Sequence, residues 1–311
     1  MKKHQTYLLI TCVMILWGLN VPTIKILVDY FPPLTITSLR ILTAGLVVFA
    51  ILAFMRKVRK PSLREWKFIF IGGLSNIVVH HFFLSIGLTA TSATNGGLIL
   101  GTGPLLTATL SSIILRNKPT FIKVLGFLFG IAGVSFIVLS GEGGLSGLSG
   151  GDLFIFISIV SQALSFVLIS RMTKTLDPRL LTGYMLVFGG IILFIISLWK
   201  EPAGLAGVAH APIWIWAIFL ASAVVATAFG NMVYNLTISR IGPAETSIFL
   251  NLSTFFTLVG SAVFLGEVIT VYHLLGLVLI VSGVLFGSGA LEELIHRRKY
   301  KAHRQGQSQN F

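Results

Sequence analysis

The sequence predicts an all-α integral membrane protein of ten transmembrane helices, arranged as two inverted five-helix repeats. Three observations lead there. The 311 residues are 55% hydrophobic and only 11% charged, with a mean hydropathy of +0.91, whereas a soluble domain carries about 25% charged residues. Apolar runs long enough to span a bilayer recur between charge clusters and prolines. The basic residues gather on alternate connections. A water-soluble core could not absorb such an apolar excess. The composition excludes a disordered chain, a disulfide scaffold (Cys12 is the single cysteine) and an ordinary cytosolic enzyme. At about 20 residues per span plus a short connection, the length accommodates roughly ten spans.

The spans read in order as 7–27, 34–55, 67–88, 92–115, 121–140, 152–172, 180–199, 213–235, 244–266 and 272–290. The first follows Lys2 and Lys3; no small-x-small cleavage site ends it, so it is a retained span and not a signal peptide. The second opens after Pro32-Pro33 and closes at the basic run Arg56–Lys67. The third and fourth follow, the fourth ending at Arg116. Pro119 precedes the fifth, Pro178 the seventh, Pro212 the eighth and Pro243 the ninth, as helix punctuation should. Only Pro22 and Pro104 fall within spans. The sixth span ends at Arg171 and Lys174, the seventh at Lys200. The tenth leads into an acidic pair, Glu292 and Glu293, and a basic tail.

Ten spans put both termini on one side. With the termini inside, 20 of the 23 Lys and Arg are cytoplasmic; Lys200 is outside and Lys25 and Arg40 lie within spans. That is a strong positive-inside bias. It places the chain in the plasma membrane and explains the net charge of +13 as short loops facing anionic headgroups. Nucleic acid is not an expected partner, because the charge is scattered and no aromatic-interleaved basic domain exists.

An offset of 150 residues aligns 92–138 with 242–288 without a gap, with 10 of 47 positions identical, among them Gly126/Gly276 and Gly133/Gly283. Five spans per repeat reverse the second copy in the membrane. The domains are then 1–140, a glycine-rich linker at 141–151, 152–290, and a basic cytoplasmic tail at 291–311. Gly126xxxGly130 and Gly283xxxGly287 offer close-packing faces; homodimerisation through that face is the alternative, with a monomer sufficient.

Several stretches carry a family resemblance: Trp17-Gly18-Leu19-Asn20, Ile241-Gly242-Pro243-Ala244, Leu265-Gly266-Glu267, Leu275-Gly276 and Ser282-Gly283-Val284. Together with the span count they resemble the EamA-type permeases of the drug/metabolite transporter superfamily, over essentially the whole chain. The first copy departs at Leu115-Arg116-Asn117-Lys118, where the second has Leu265-Gly266-Glu267-Val268. The resemblance implies a ten-helix basket with a central cavity lined by spans 1, 3, 4, 6, 8 and 9. It also implies a cargo of amino acids or other small metabolites, often moved outward.

Rise per residue puts Trp17, Asn76 and Gln162 near mid-depth of spans 1, 3 and 6. Four tryptophans sit at span ends, as an aromatic belt requires; Trp17 alone is deep, and its indole N–H needs a partner. Asn20 lies one turn on, and Pro22 weakens the helix beyond it. His80 shares a face with Asn76 at i, i+4, while His81 points about 100° away. Span 4 carries Asn95 with Thr102 and Thr109. Span 8 carries Thr227, Asn231 and Tyr234, and span 9 carries Ser247, Asn251, Thr254 and Ser261. The candidate substrate site is therefore Trp17, Asn20, Asn76, His80, Asn95, Gln162, Asn231, Tyr234 and Asn251. The same polar stripes could serve instead as helix–helix glue.

All ten acids lie at span ends or in loops, so a buried carboxylate is not the coupling group. His80 could carry a proton, against which stands simple uniport. Adjacent histidines without a third ligand do not make a metal site, and no cofactor motif or catalytic constellation occurs. Lys25 and Arg40 read as cations snorkelling to the outer headgroups, or as attractors of a substrate carboxylate to the outer vestibule. The expected function is a permease for a small-molecule substrate working by alternating access. A sugar-phosphate or nucleotide-sugar carrier is the alternative, wanting more cations, and a membrane-embedded enzyme stands further off.

Overall fold

The computed structural model describes residues 3–114, 120–139, 149–173, 175–208 and 211–287. The basic tail, most of the glycine-rich linker and the Arg116–Lys118 loop lie outside the described residues. Among the described residues the regular structure is entirely helical. Eight helices are long and apolar enough to cross a membrane. They are α1 (Lys3–Tyr30), α2 (Pro33–Phe54), α3 (Leu63–Thr89), α4 (Ala93–Ile114), α6 (Gly150–Met172), α7 (Pro178–Lys200), α8 (Ile213–Ile241) and α9 (Pro243–Leu265). Two further apolar helices, α5 (Phe121–Leu139) and α10 (Val271–Gly287), pack on one another.

Helix starts follow local chemistry. Proline holds the first helical turn of α2, α7 and α9, where its missing N–H costs nothing. At α3, Ser62 and Glu65 form a capping box, and Glu65 also takes both arms of the Arg59 guanidinium at 2.7 and 2.9 Å. That contact raises the Arg59 pKa above its ordinary value. Asp177 caps α7 through the Arg179 N–H at 2.9 Å. The Arg179 guanidinium beside it holds the Asp177 carboxyl below the usual carboxylate range.

Two acids reach across to distant helices. Glu201, at the end of α7, accepts from the backbone N–H groups of Leu34 and Thr35 at 3.0 and 2.7 Å, at the start of α2. Glu267, just past α9, accepts from Ala93 and Thr94 at 2.9 and 2.8 Å, at the start of α4. Each carboxylate satisfies orphan donors at a positive helix end.

Lipid provides no hydrophobic drive between helices, so close backbone approach matters. A Cβ on Gly283 would stand 2.7 Å from the Gly130 nitrogen and 2.8 Å from the Gly126 oxygen. The glycine faces of α5 and α10 are thus turned on each other within one chain. Gly18 does the same for α1 against α9, where a Cβ would lie 2.5 Å from the Ser253 carbonyl oxygen.

The remaining contacts come in matched sets. Helix α1 packs on α9 and α8; α6 packs on α4 and α3. Helix α2 packs on α7 and α8; α7 packs on α2 and α3.

Helix α1 runs unbroken through Pro22, so the weakening expected there does not occur. The departures from regular geometry lie elsewhere. Helix α4 is interrupted at Gly101 and Thr102, ahead of Pro104, and α9 is interrupted at Phe249. Helices α3 and α8 each contain a π-helical stretch, Leu74–Val79 and Ala221–Phe229.

Candidate functional site

A cavity of about 90 Å³ lies where α1, α2, α3, α4, α6, α8 and α9 converge. Ala226 and Thr227 of its lining lie in the π-helical stretch of α8, and His80 and His81 follow directly on that of α3. A π turn pairs each N–H with the carbonyl five residues back and leaves carbonyls free for side chains. The indole Nε1 of Trp17 donates to the Ala226 carbonyl at 2.8 Å. In the other stretch, Ser161 on α6 donates at 2.8 Å to the Ser75 carbonyl, which also accepts the His80 N–H. The Trp17 ring lies on Tyr234 with centroids 4.9 Å apart, and Tyr234 on Phe166 at 4.7 Å. The Asn20 amide oxygen accepts from the Ser222 hydroxyl at 2.6 Å.

His80 is held at both nitrogens. Ser158 Oγ donates to the His80 carbonyl at 2.9 Å, so its lone pair receives the imidazole Nδ1–H at 2.7 Å. The other nitrogen, Nε2, then accepts from the Gln162 amide at 3.0 Å. This network assigns a neutral Nδ1–H tautomer, which leaves neither nitrogen free for a second partner. His81 packs edge-on to His80 at 4.6 Å.

Among the described residues Arg40 is the one Lys or Arg in the wall. It is 2% exposed. Its Nη1 donates to Thr227 Oγ1 at 2.6 Å, and Thr227 passes its own proton to the Ser222 carbonyl at 2.8 Å. Its Nη2 stands 3.4 Å from His81 Nδ1. The guanidinium does not snorkel to a headgroup; it faces the cavity beside His81 and Thr227.

Of the nine sequence-derived candidates, Trp17, Asn20, His80, Gln162 and Asn231 meet at the cavity. The other four lie off its wall. Asn76 donates to Ser165 at 2.5 Å in the buried seam between α3 and α6. The π turn explains why it parts from His80, because the i, i+4 face assumed for an ordinary helix does not persist through it. Tyr234 is fully buried behind Trp17. Asn95 receives its own helix cap from Ser92, and the Asn251 amide donates to the Ile248 carbonyl at 3.0 Å, back along α9.

Two separate stretches, residues 4–139 and 149–288, each match the model of the EamA-like transporter family. The chain belongs to the EamA-like transporter family. An uncharacterized transporter of Bacillus subtilis, YyaM, is 34% identical over 94% of this chain and 96% of its own length. A second from that organism, YvbV, is 28% identical over 91% and 92% respectively. A chloroplastic WAT1-related protein of Arabidopsis thaliana is 26% identical over 58% of this chain. One solved crystal structure, 19% identical, superposes with a TM-score of 0.68 over 94% of this chain and 99% of that one, a likeness of fold. The protein is accordingly a multi-pass membrane transporter.

In this EamA-like chain the residues that sequence reasoning left off the site are Arg40, His81, Thr227, Ser253, Thr254 and Thr257, all on the cavity wall. Arg40 had a signal: a cation about 9 Å inside a span is deeper than its neighbours. Thr227 and Thr254 lay on the polar stripes already noted. His81 had none, since its orientation depends on the π turn before it.

Proposed function

We propose that this EamA-like transporter carries small metabolites, amino acids and related compounds, outward across the plasma membrane by alternating access. The cavity is the carrying observation. Polar side chains from six helices converge on one space, and in hydrocarbon such groups are kept for use. The two family-model matches and the matched contacts support a reading as two inverted five-helix halves, with α5 and α10 as the fifth span of each. The π-helical stretches support it further: a 150-residue offset carries Leu74–Val79 onto 224–229, inside the second stretch. Rocking of one half against the other would expose the cavity to each side in turn.

Reconstitution tests this. Purified protein in liposomes loaded with an amino acid mixture should exchange it for external radiolabelled amino acids, and Asn20→Ala and Gln162→Ala should slow exchange at least about tenfold at equal protein levels. Exchange no faster than in protein-free liposomes would reject the transport reading. Both termini are proposed to be cytoplasmic. Ser146→Cys, on a Cys12→Ser background, should then label with an impermeant thiol reagent in intact cells, and labelling only after lysis would reverse the orientation.

A further inference from the structure

We infer that Arg40 is the recognition group for the carboxylate of a small organic monoanion, and that this anion is the cargo of the cavity. The inference rests on the transport reading and narrows its cargo from amino acids to related compounds that carry a carboxylate and no ammonium.

The first ground is an incomplete hydrogen-bond account. A guanidinium carries five N–H donors in a rigid fork and accepts nothing. For Arg40 the described residues provide one short acceptor, Thr227 Oγ1 at 2.6 Å, and one distant nitrogen, His81 Nδ1 at 3.4 Å. A side chain 2% exposed cannot turn to bulk water for the rest. Its open donors share the cavity with whatever enters it.

The second ground is charge. The ion pairs among the described residues are Lys25–Asp29, Arg59–Glu65 and Arg179–Asp177; none involves Arg40. The other described acids, Asp152, Glu201, Glu245 and Glu267, are engaged at helix ends with Thr91, Thr35, Tyr7 and Ala93. A buried charge without a counter-charge is expensive in a membrane, so the cavity is built to receive a negative group.

The third ground is that packing does not require the cation. Helices α2 and α7 both begin on proline, Pro33 and Pro178, and aligning them there gives Arg40 the counterpart Met185. Met185 is an uncharged buried side chain lying against Gly72 of α3. The same helix position closes well with an apolar residue.

Shape and count select the anion class. A carboxylate matches the planar fork in a bidentate pair. One guanidinium neutralises one charge, which suits a monoanion better than a phosphate dianion; Lys25 is held by Asp29 at 2.8 Å and does not line the cavity. Among the described residues no carboxylate lines the wall, so the ammonium of a zwitterion has only neutral hydroxyl, amide and carbonyl oxygens to meet. The lining also includes Val21, Ile24, Leu84 and Leu100, apolar side chains that can hold a hydrocarbon body.

The test uses a matched series of probes on the purified full chain in detergent: acetate, butyrate, phenylacetate and 3-phenylpropionate, each against its primary amide, with phenylalanine as the zwitterion. Saturable binding is read as a concentration-dependent rise in the thermal unfolding midpoint. At least one acid should bind, about 30-fold or more tightly than its amide, and more tightly than phenylalanine. Arg40→Gln should lose that preference, and Arg40→Lys should keep it at reduced affinity. Thr227→Val retains the charge while removing its anchor, and should weaken the acid without strengthening the amide. Amides binding as well as acids, phenylalanine binding more tightly than 3-phenylpropionate, no acid binding, or a folded Arg40→Gln that still prefers acids would each overturn the assignment. Counterflow of the same probes separates this from the transport reading. Acid binding without flux keeps the site and rejects transport, whereas amide flux indifferent to Arg40→Gln keeps transport and rejects the site.

Discussion

The indole nitrogen of Trp17 reaches a main-chain oxygen, that of Ala226, across 2.8 Å and from one half of the chain to the other. The oxygen belongs to a π-helical stretch, and without the indole it would face a cavity wall with no donor. Trp17→Phe keeps the stacking on Tyr234 and removes only the N–H. It should cost about 1–3 kcal/mol, read as a lowered thermal unfolding midpoint in detergent. Trp199→Phe, at a position 78% exposed, should leave the midpoint unchanged. Equal midpoints for both variants would show the indole bond to be dispensable.

Glu267 ties the end of α9 to the start of α4. Replacing it by Ala leaves the Ala93 and Thr94 amides without acceptors and removes a negative charge from a positive helix end. A loss of about 0.5–2 kcal/mol is expected, with Glu267→Gln intermediate because one acceptor oxygen remains. Limited proteolysis at the α4 end, increased in the Ala variant, provides a second check.

The two glycine motifs predict opposite outcomes for the same substitution. At Gly283 an added methyl meets the backbone of α5, which cannot move aside, so Gly283→Ala should cost about 1–3 kcal/mol. At Gly130 the obstacle is the tip of the Leu105 side chain, and a rotamer change clears it. Gly130→Ala should therefore fold nearly as well as the parent. Comparison of monodisperse yield and unfolding midpoint decides; similar losses at both sites would contradict the packing described.

Asp177 gives a pH dependence of known sign. Its carboxyl is held below the ordinary range by Arg179, so its stabilising effect is complete above the unfolded value near 4 and fades as pH falls through the depressed folded value. Asp177→Ala should cost about 1 kcal/mol at pH 7, and the difference from wild type should shrink as the solution is acidified toward pH 3. A gap unchanged by acid would mean that the charge plays no part in the cap.

The long apolar helices were legible because hydropathy and proline punctuation are local signals, and Trp17, His80 and Gln162 because a polar or indole group deep in a span is rare enough to stand out. Arg40 was visible but ambiguous: depth along a helix does not say which way a side chain turns, and its orientation is fixed by Thr227, 187 residues away. Asn76 and Tyr234 were placed on the wall by assuming an uninterrupted α-helix. The π turns have no residue signature, since Leu74–Val79 and Ala221–Phe229 read as ordinary apolar helix. The first lies against α6 and α7 and the second against α1 and α2, contacts between distant segments, and everything that depends on their register was out of reach.

Those π turns carry a mechanical consequence. Each holds slack within a helix that flanks the cavity, one on either side. When an amide changes its acceptor from the carbonyl five residues back to the one four back, the slack moves along the helix while the rod stays whole. Side chains it passes swing by up to about 100°. His80 and Asn231 both sit just beyond such a stretch. The wall can thus be re-aimed from within, like a cam turning on a fixed shaft, without either helix leaving its neighbours in the bilayer.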